Sequence, residues 1–321
     1  MPMALDMHCD TISKIWKLGQ EGKREGLREN TLAVDLNKME KGGYLLQNFA
    51  MFVFLDPARD PLVNVLELID RYYRELEGNR DLIAPVYRYA DIEKNREAGK
   101  LSAMLTVEEG GVCKGSIEVL RNLYRLGVRM MTLTWNFENE IGYPGINLRN
   151  EAFDTPGGLK PRGIEIVEEM DRLGMIVDVS HLGDGGFWDV VKYTRGPFVA
   201  SHSNARSVCG HSRNLTDDMI RALAGKGGVM GLNFCGDFLR PGSQGTLEEM
   251  IAHLRHIKNV GGAGVLGLGS DFDGIDNVPE VADASRMPLL AAAMEKAGFT
   301  AREIDGVFCE NALRVYREVL N

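Results

Sequence analysis

Three of the six histidines in this 321-residue chain close short apolar segments: His8, His181 and His202. Neutral imidazole is a ligand for divalent metals and works as an acid or base near neutral pH. His8 and Asp10 are two residues apart, so in extended backbone both side chains leave one face while Cys9 leaves the other, and one ion could be held by both. The same pair also occurs as a structural or capping element. Val107-Glu108-Glu109-Gly110-Gly111 sets a carboxylate after another apolar segment, with glycines that admit close backbone approach, although a solvated turn has the same composition. Asp178-Val179-Ser180-His181 and Ala200-Ser201-His202-Ser203 each place a histidine after an apolar run, and alone either fits a hydrogen-bonded core imidazole equally well. In Gly269-Ser270-Asp271-Phe272-Asp273-Gly274, Asp271 falls at a rim and Asp273 in the turn.

The elements that must position these groups are strand-sized. Apolar segments at residues 3–8, 46–54, 101–107, 129–134, 175–180, 198–201, 228–234 and 265–270 predict eight strands. Helical apolar spacing lies between them at residues 62–77, 117–126, 163–173, 186–193, 217–224 and 247–260. The connection 19–43 is charged and broken by glycines, and reads as an excursion. Eight apolar strands alternating with amphipathic helices predict an α/β fold, a closed (β/α)8 TIM-like barrel, with a doubly wound open sheet as the rival. Polar residues at nearly every strand end favour the barrel, because an open sheet concentrates its site near one switch point. The Pro/Gly punctuations at 159–163 and 240–245 mark no composition shift, so residues 1–321 read as a single domain with C-terminal helices over 286–321. Within a barrel the five strand ends form one ring, and a joint metal site accounts for all of them together.

Imidazole and carboxylate without thiolate suit Zn²⁺ or a similar ion better than a Cys-rich structural zinc or a Mg²⁺ cage. The ligand tally exceeds one ion. Two divalent ions bring four positive charges, which Asp10, Glu108, Asp271 and a bound hydroxide would offset.

Composition bounds the alternatives. Lys+Arg 37 against Asp+Glu 46 gives a net charge of −9, which disfavours a nucleic-acid partner. No apolar run approaches the roughly 20 residues of a membrane helix, and the first residues carry no signal-peptide pattern, so no membrane partner and a cytoplasmic location are expected. Five scattered cysteines, Cys9, Cys113, Cys209, Cys235 and Cys309, suit reduced thiols.

The ordered set His8-Cys9-Asp10, Val34-Asp35-Leu36, Gln47-Asn48-Phe49-Ala50, Val107-Glu108, Leu133-Thr134, Val177 to His181, Ser201-His202-Ser203, Arg213-Asn214 and Gly269 to Gly274 resembles the membrane (renal) dipeptidase family, metal-dependent peptidases related to the amidohydrolase superfamily, over essentially the whole chain. The resemblance implies two Zn²⁺ per chain, with His8 and Asp10 on one, His181 and His202 on the other, and Glu108 bridging. Glu108 is chosen over Glu109 because its spacing to Ser116 and Leu120-Arg121 then matches without a gap. It further implies Asp271 as the catalytic acid/base, Arg213 as the clamp on the substrate's C-terminal carboxylate, and hydrolysis by a bridging hydroxide. A homodimer is compatible with it.

One position departs. Several family members read Leu-Thr-His at the end of the fourth strand, where this chain reads Leu133-Thr134-Trp135-Asn136. Indole offers no tautomer-switching donor, so Trp135 is expected as a substrate wall and Asn136, or the metals, as the carbonyl stabiliser. The expected activity is a dinuclear zinc dipeptidase acting on small dipeptides, L,D-dipeptides included. A related amidohydrolase acting on N-acyl amino acids is the alternative, and a non-catalytic metal-binding protein the third reading. His253 and His256 are expected as helix-surface or packing residues, and His211 as a loop residue near Arg213.

Overall fold

The computed structural model describes residues 2–146, 148 and 157–320. In chain order its elements are β1 (Ala4–Cys9), α1 (Thr11–Gln20), α2 (Leu36–Gly42), β2 (Tyr44–Phe52), α3 (Pro61–Gly78), β3 (Ile83–Pro85), α4 (Tyr89–Glu97), β4 (Leu101–Glu108), α5 (Ile117–Arg125) and β5 (Met130–Thr132). There follow α6 (Pro161–Leu173), β6 (Ile176–Asp178), α7 (Asp184–Tyr193), β7 (Val199–Ala200), α8 (Asp217–Gly225), β8 (Val229–Leu232), α9 (Gly236–Leu239), α10 (Leu247–Gly261), β9 (Leu266–Leu268), α11 (Met287–Lys296), α12 (Ala301–Asp305) and α13 (Asn311–Val319).

All the strand pairings are parallel, and the sheet closes. The ring runs β1-β2-β4-β5-β6-β7-β8-β9 and returns to β1 through Asp6 beside Leu268. This is the expected (β/α)8 barrel. The short β3 was not foreseen. It pairs Ile83 with Leu101 along the start of β4, where the ladder to β5, which begins at Thr106, leaves an open edge.

Two apolar clusters fill the fold. The larger occupies the space between strands and helices. The smaller joins strand residues Leu5, Met7, Met104, Met130, Ile176, Val199 and Val229 to Val315 and Tyr316 of α13, so the C-terminal helix closes one end of the barrel. The buried Tyr316 hydroxyl accepts from Asn48 Nδ2 at 2.7 Å, pinning that helix to β2. The expected C-terminal helices are present, Asn321 lying outside the described residues.

Several strands stop earlier than their apolar runs, for a definite reason. Beyond Ala200 the backbone N–H of Ser201 donates to Asp178 Oδ1 at 2.8 Å and that of His202 to Ser180 Oγ at 3.0 Å. Side chains take over from the backbone ladder where the functional residues begin. The excursion 19–43 holds the last residues of α1 and the whole of α2, which is capped by Asp35, whose Oδ1 accepts from Lys38 N at 2.7 Å. Among the described residues no helix is long and apolar enough to cross a membrane, and the five cysteines are free.

Candidate metal centre

His8 lies near the end of β1 and Asp10 just past it, where Asp10 precedes α1 without using its side chain as a cap. Glu108 ends β4, His181 and His202 follow β6 and β7, and Asp271 follows β9. The barrel brings all six to one mouth. His8 Nε2 lies 3.4 Å from Asp10 Oδ2, 3.5 Å from Glu108 Oε2 and 3.9 Å from Asp271 Oδ1. On the other side Glu108 Oε1 is 3.0 Å from His181 Nε2 and 3.5 Å from His202 Nε2. Glu108 thus presents one oxygen to each half of the cluster.

The tautomers follow from the outer partners. His181 Nδ1 is 2.9 Å from the amide oxygen of Asn136, which only accepts, so the proton sits on Nδ1. Ser201 donates its hydroxyl to Asp178 Oδ2 at 2.6 Å and therefore accepts from His202 Nδ1 at 2.8 Å. Both rings are left with Nε2 lone pairs aimed inward, the arrangement that outer hydrogen bonds impose on metal-binding histidines. Burial, with the positive field of Arg213, holds His181 down at about 3. Burial and the neighbouring His8 likewise hold His202 well below the usual histidine range. Burial disfavours charge on His8 as well, but the carboxylates of Glu108 and Asp10 outweigh it and raise that ring. Burial raises Asp271, and the like charges of Asp10 and Glu108 add to it, while Asn233 Nδ2 donates to Asp271 Oδ2 at 2.9 Å.

The donor set fits divalent cations. Both ring nitrogens of His8 and Asp10 Oδ1 are buried without a hydrogen-bond partner, a costly state that coordination would relieve. His8, Glu108 and His202 form one group of ligand atoms within 4.8 Å of one another, and His8, Asp10 and Asp271 another. A Cβ on Gly274 would meet Asp10 Oδ2 at 2.3 Å and Asp271 Oδ1 at 2.4 Å, so any side chain there would press on both carboxylates. His181 (φ 67°) and Asp271 (φ 62°) both adopt the left-handed region, a local strain that such clusters commonly carry.

Glu109 turns away. Its carboxylate accepts from Gly111 N at 2.6 Å and Trp135 N at 3.0 Å, and burial pushes it up to about 7. Asn136 lines the cavity but spends its amide oxygen on His181. Trp135 packs edge-on to Phe52 at 4.9 Å and faces the same cavity of about 840 Å³. Arg213 is buried beside Phe238, a cavity-lining residue, with its ring contact at 5.4 Å and its Nε unpartnered.

His211 Nδ1 accepts from Arg213 N at 3.1 Å. His253 is a packing residue, bonded to Ala205 N and Leu239 O, and His256 pairs with Asp217 at 2.7 Å. Asp178, Ser201, Asn233 and Gly274 went unassigned in the sequence reading. Asp178 and Ser201 stand in the segments that carry His181 and His202, and Gly274 closes the segment that carries Asp271, whereas nothing near Asn233 in the sequence marks it.

The family described as "Membrane dipeptidase (Peptidase family M19)" matches residues 2–321. An uncharacterised dipeptidase of Schizosaccharomyces pombe is 35% identical over 308 residues, covering 91% of this chain and 73% of the relative. The crystal structure of a metallo peptidase named dipeptidase AC superimposes with a TM-score of 0.90 at 26% identity, over 99% of each chain. A Rhodobacter sphaeroides metallo peptidase, liganded with a phosphinate mimic of the dipeptide L-Ala-D-Ala, gives a TM-score of 0.90 at 25% identity, over 100% of this chain and 99% of that one.

Proposed function

The chain belongs to the membrane dipeptidase family, peptidase family M19, and from that premise we propose that it is a dinuclear zinc dipeptidase whose ions are held by His8, Asp10, Glu108, His181 and His202. The observation that carries this reading is Glu108 facing His8 with one oxygen and His181 and His202 with the other. When bound, the ions would lower the pKa of the attacking water and polarise the scissile carbonyl.

The protein's own groups supply the rest. Asp271, held by Asn233 at the rim of the cluster, takes the proton from water and returns it to the leaving amine. Its carboxyl is raised by burial, and the field of two cations would draw it down toward the ionised form needed to accept. Arg213 is a buried guanidinium whose nearest hydrogen-bond acceptor is the His202 carbonyl at 3.4 Å. A planar substrate carboxylate would complete its donor fork. That clamp admits a single residue on the C-terminal side of the scissile bond, because a further residue there would carry the carboxylate elsewhere. Glu109 anchors the Trp135 backbone, and Asn136 fixes the His181 ring.

The mimic bound to the Rhodobacter relative makes L,D-dipeptides the first stereochemistry to try. The test is zinc content, by mass spectrometry, coupled to hydrolysis of L,L- and L,D-dipeptides against N-acyl amino acids. Expected are two zinc ions per chain, activity lost to chelator and restored by Zn²⁺, and dipeptides preferred. Failure of the zinc-loaded protein on every dipeptide would defeat the proposal, and turnover of N-acyl amino acids alone would establish the amidohydrolase alternative.

A further inference from the structure

The reading above leaves most of the cavity unexplained. At about 840 Å³ it lies toward the upper end of small-molecule pockets, which run about 300–1,000 Å³, and it is larger than a dialanine-sized substrate requires. Its lining is asymmetric. In the barrel ring β2 lies opposite β7, four strands away in either direction. Arg213 sits in the chain after β7, and β2 ends at Phe52 with Phe54 just beyond it. A dipeptide with its carboxylate on Arg213 and its scissile bond at Glu108 therefore directs its first residue toward Phe52, Phe54 and Trp135.

These three rings form a cleft. Trp135 meets Phe52 at 4.9 Å with an interplanar angle of 65° and Phe54 at 5.7 Å, and lies 6.0 Å from the His181 ring. Buried Phe137 supports it from beneath, at 5.5 Å from Trp135 and 4.9 Å from Phe54 in a T-shaped contact. The Trp135 backbone N–H donates to Glu109 Oε2 at 3.0 Å, which fixes where the indole enters the wall. Phe54 is nonetheless 49% exposed at the cavity mouth, an aromatic surface left available to a ligand.

We propose that Phe52, Phe54 and Trp135 form a specificity cleft for a large aromatic side chain on the first residue of the dipeptide. The inference rests on the dipeptidase reading and names its substrate class. Transfer of a phenyl side chain from water into such a cleft supports a gain of about 10- to 100-fold in kcat/KM over alanine.

The test compares kcat/KM of the zinc-loaded enzyme on X-Ala, where X is Gly, Ala, Leu, Phe, Trp or Glu, with Ala-Phe as the positional control, in both C-terminal configurations. Phe-Ala and Trp-Ala should exceed Ala-Ala by about tenfold or more, with no such gain for Ala-Phe. The ratio of Phe-Ala to Ala-Ala should collapse toward one in Trp135→Ala. It should fall in Phe54→Ala, a rim substitution whose zinc content and circular dichroism serve as folding controls. Equal rates across the series, a gain confined to Ala-Phe, or ratios unmoved by both substitutions would overturn the cleft while leaving the dipeptidase intact. A preference for Glu-Ala would overturn it in favour of Lys14 and Lys17, which line the same cavity. Hydrolysis of none of the series would remove the dipeptidase premise itself, and the cleft with it.

Discussion

The Nε2 atoms of His181 and His202 lie 3.0 Å apart, and hydrogen bonds to Asn136 and Ser201 put the proton of each ring on Nδ1. Two lone pairs at that separation repel, and the carboxylate of Glu108 beside them adds negative charge. A cation converts this repulsion into binding energy available only to the folded state. Free zinc at about 100- to 1,000-fold above Kd should then stabilise the protein by about 3–4 kcal/mol. Differential scanning fluorimetry should show the melting temperature several degrees lower in chelator and restored by Zn²⁺. A melting temperature indifferent to both would show that these imidazoles hold no metal.

Acid stability depends on another cluster. Glu169 of α6 is buried and accepts from Arg172 Nε at 2.7 Å and Arg121 Nε at 2.6 Å, linking α6 to α5 on the outside of the barrel. The hydrogen bonds from Arg172 and then Arg121 hold its carboxyl down at about 2, from an ordinary 4.5. The folded value is the lower one, so the stabilisation is complete above pH 4.5 and disappears as pH falls toward 2. Both arginines are substantially exposed, which moderates the size. Glu169→Gln should cost about 1–2 kcal/mol in urea unfolding at pH 7. The gap from wild type should narrow steadily below pH 4.5, and a gap independent of pH would contradict this account.

The barrel and the inward residues were legible because each signal is local. Apolar runs mark strands buried on both sides, and a two-residue spacing fixes which side chains share a face. His8 and Glu108 stand at the strand ends that the apolar runs mark, and Asp10 joins them from just past β1, where the backbone is no longer extended. The outer partners are not local: Ser201 reaches back 23 residues to Asp178, and Asn233 reaches 38 residues forward to Asp271. No periodicity encodes such pairs. Asn136 illustrates the difference, since its place in the sequence suggested a residue facing substrate, and it does line the cavity, but the bond from His181 to its amide oxygen spans 45 residues and had no local sign. β3 and α4 escaped notice for the opposite reason. β3 ends in a proline with no longer apolar run around it, and α4 buries little besides Ile92 and Asn95.

Arg213 should act on substrate binding more than on chemistry. Burial lowers its pKa, partly offset by Asp271 and Glu108, yet guanidinium remains charged at neutral pH. A clamp on the substrate carboxylate contributes in the ground state and the transition state alike, so its loss appears chiefly in KM. Arg213→Lys should raise KM for dipeptides by about 10- to 100-fold, the value of charge-assisted hydrogen bonds, with a smaller effect on kcat. Dipeptide amides, which lack the carboxylate, should be poor substrates for wild type and no worse for the variant. An equal loss on acids and amides would remove Arg213 from carboxylate recognition.

Gly274 permits the sharpest test of the centre without altering a ligand. It is exposed, and its backbone N–H donates to Asp271 O at 3.0 Å. It has none of the positive φ that would make alanine strained there. The three nearest neighbours of an added Cβ are Asp10 Oδ2, Asp271 Oδ1 and the Asp10 carboxyl carbon, all at the ends of side chains that can rotate away. Gly274→Ala should therefore fold normally while displacing both carboxylates from His8. Displacing reacting groups by about 1 Å costs on the order of 100-fold in rate, and zinc at the His8–Asp10 side should weaken by about 10- to 100-fold. Equilibrium zinc titration beside circular dichroism would separate the outcomes. A variant with native spectrum, full zinc affinity and undiminished dipeptide turnover would show that Asp10 and Asp271 do not need their present positions, and would refute the proposed centre on that side.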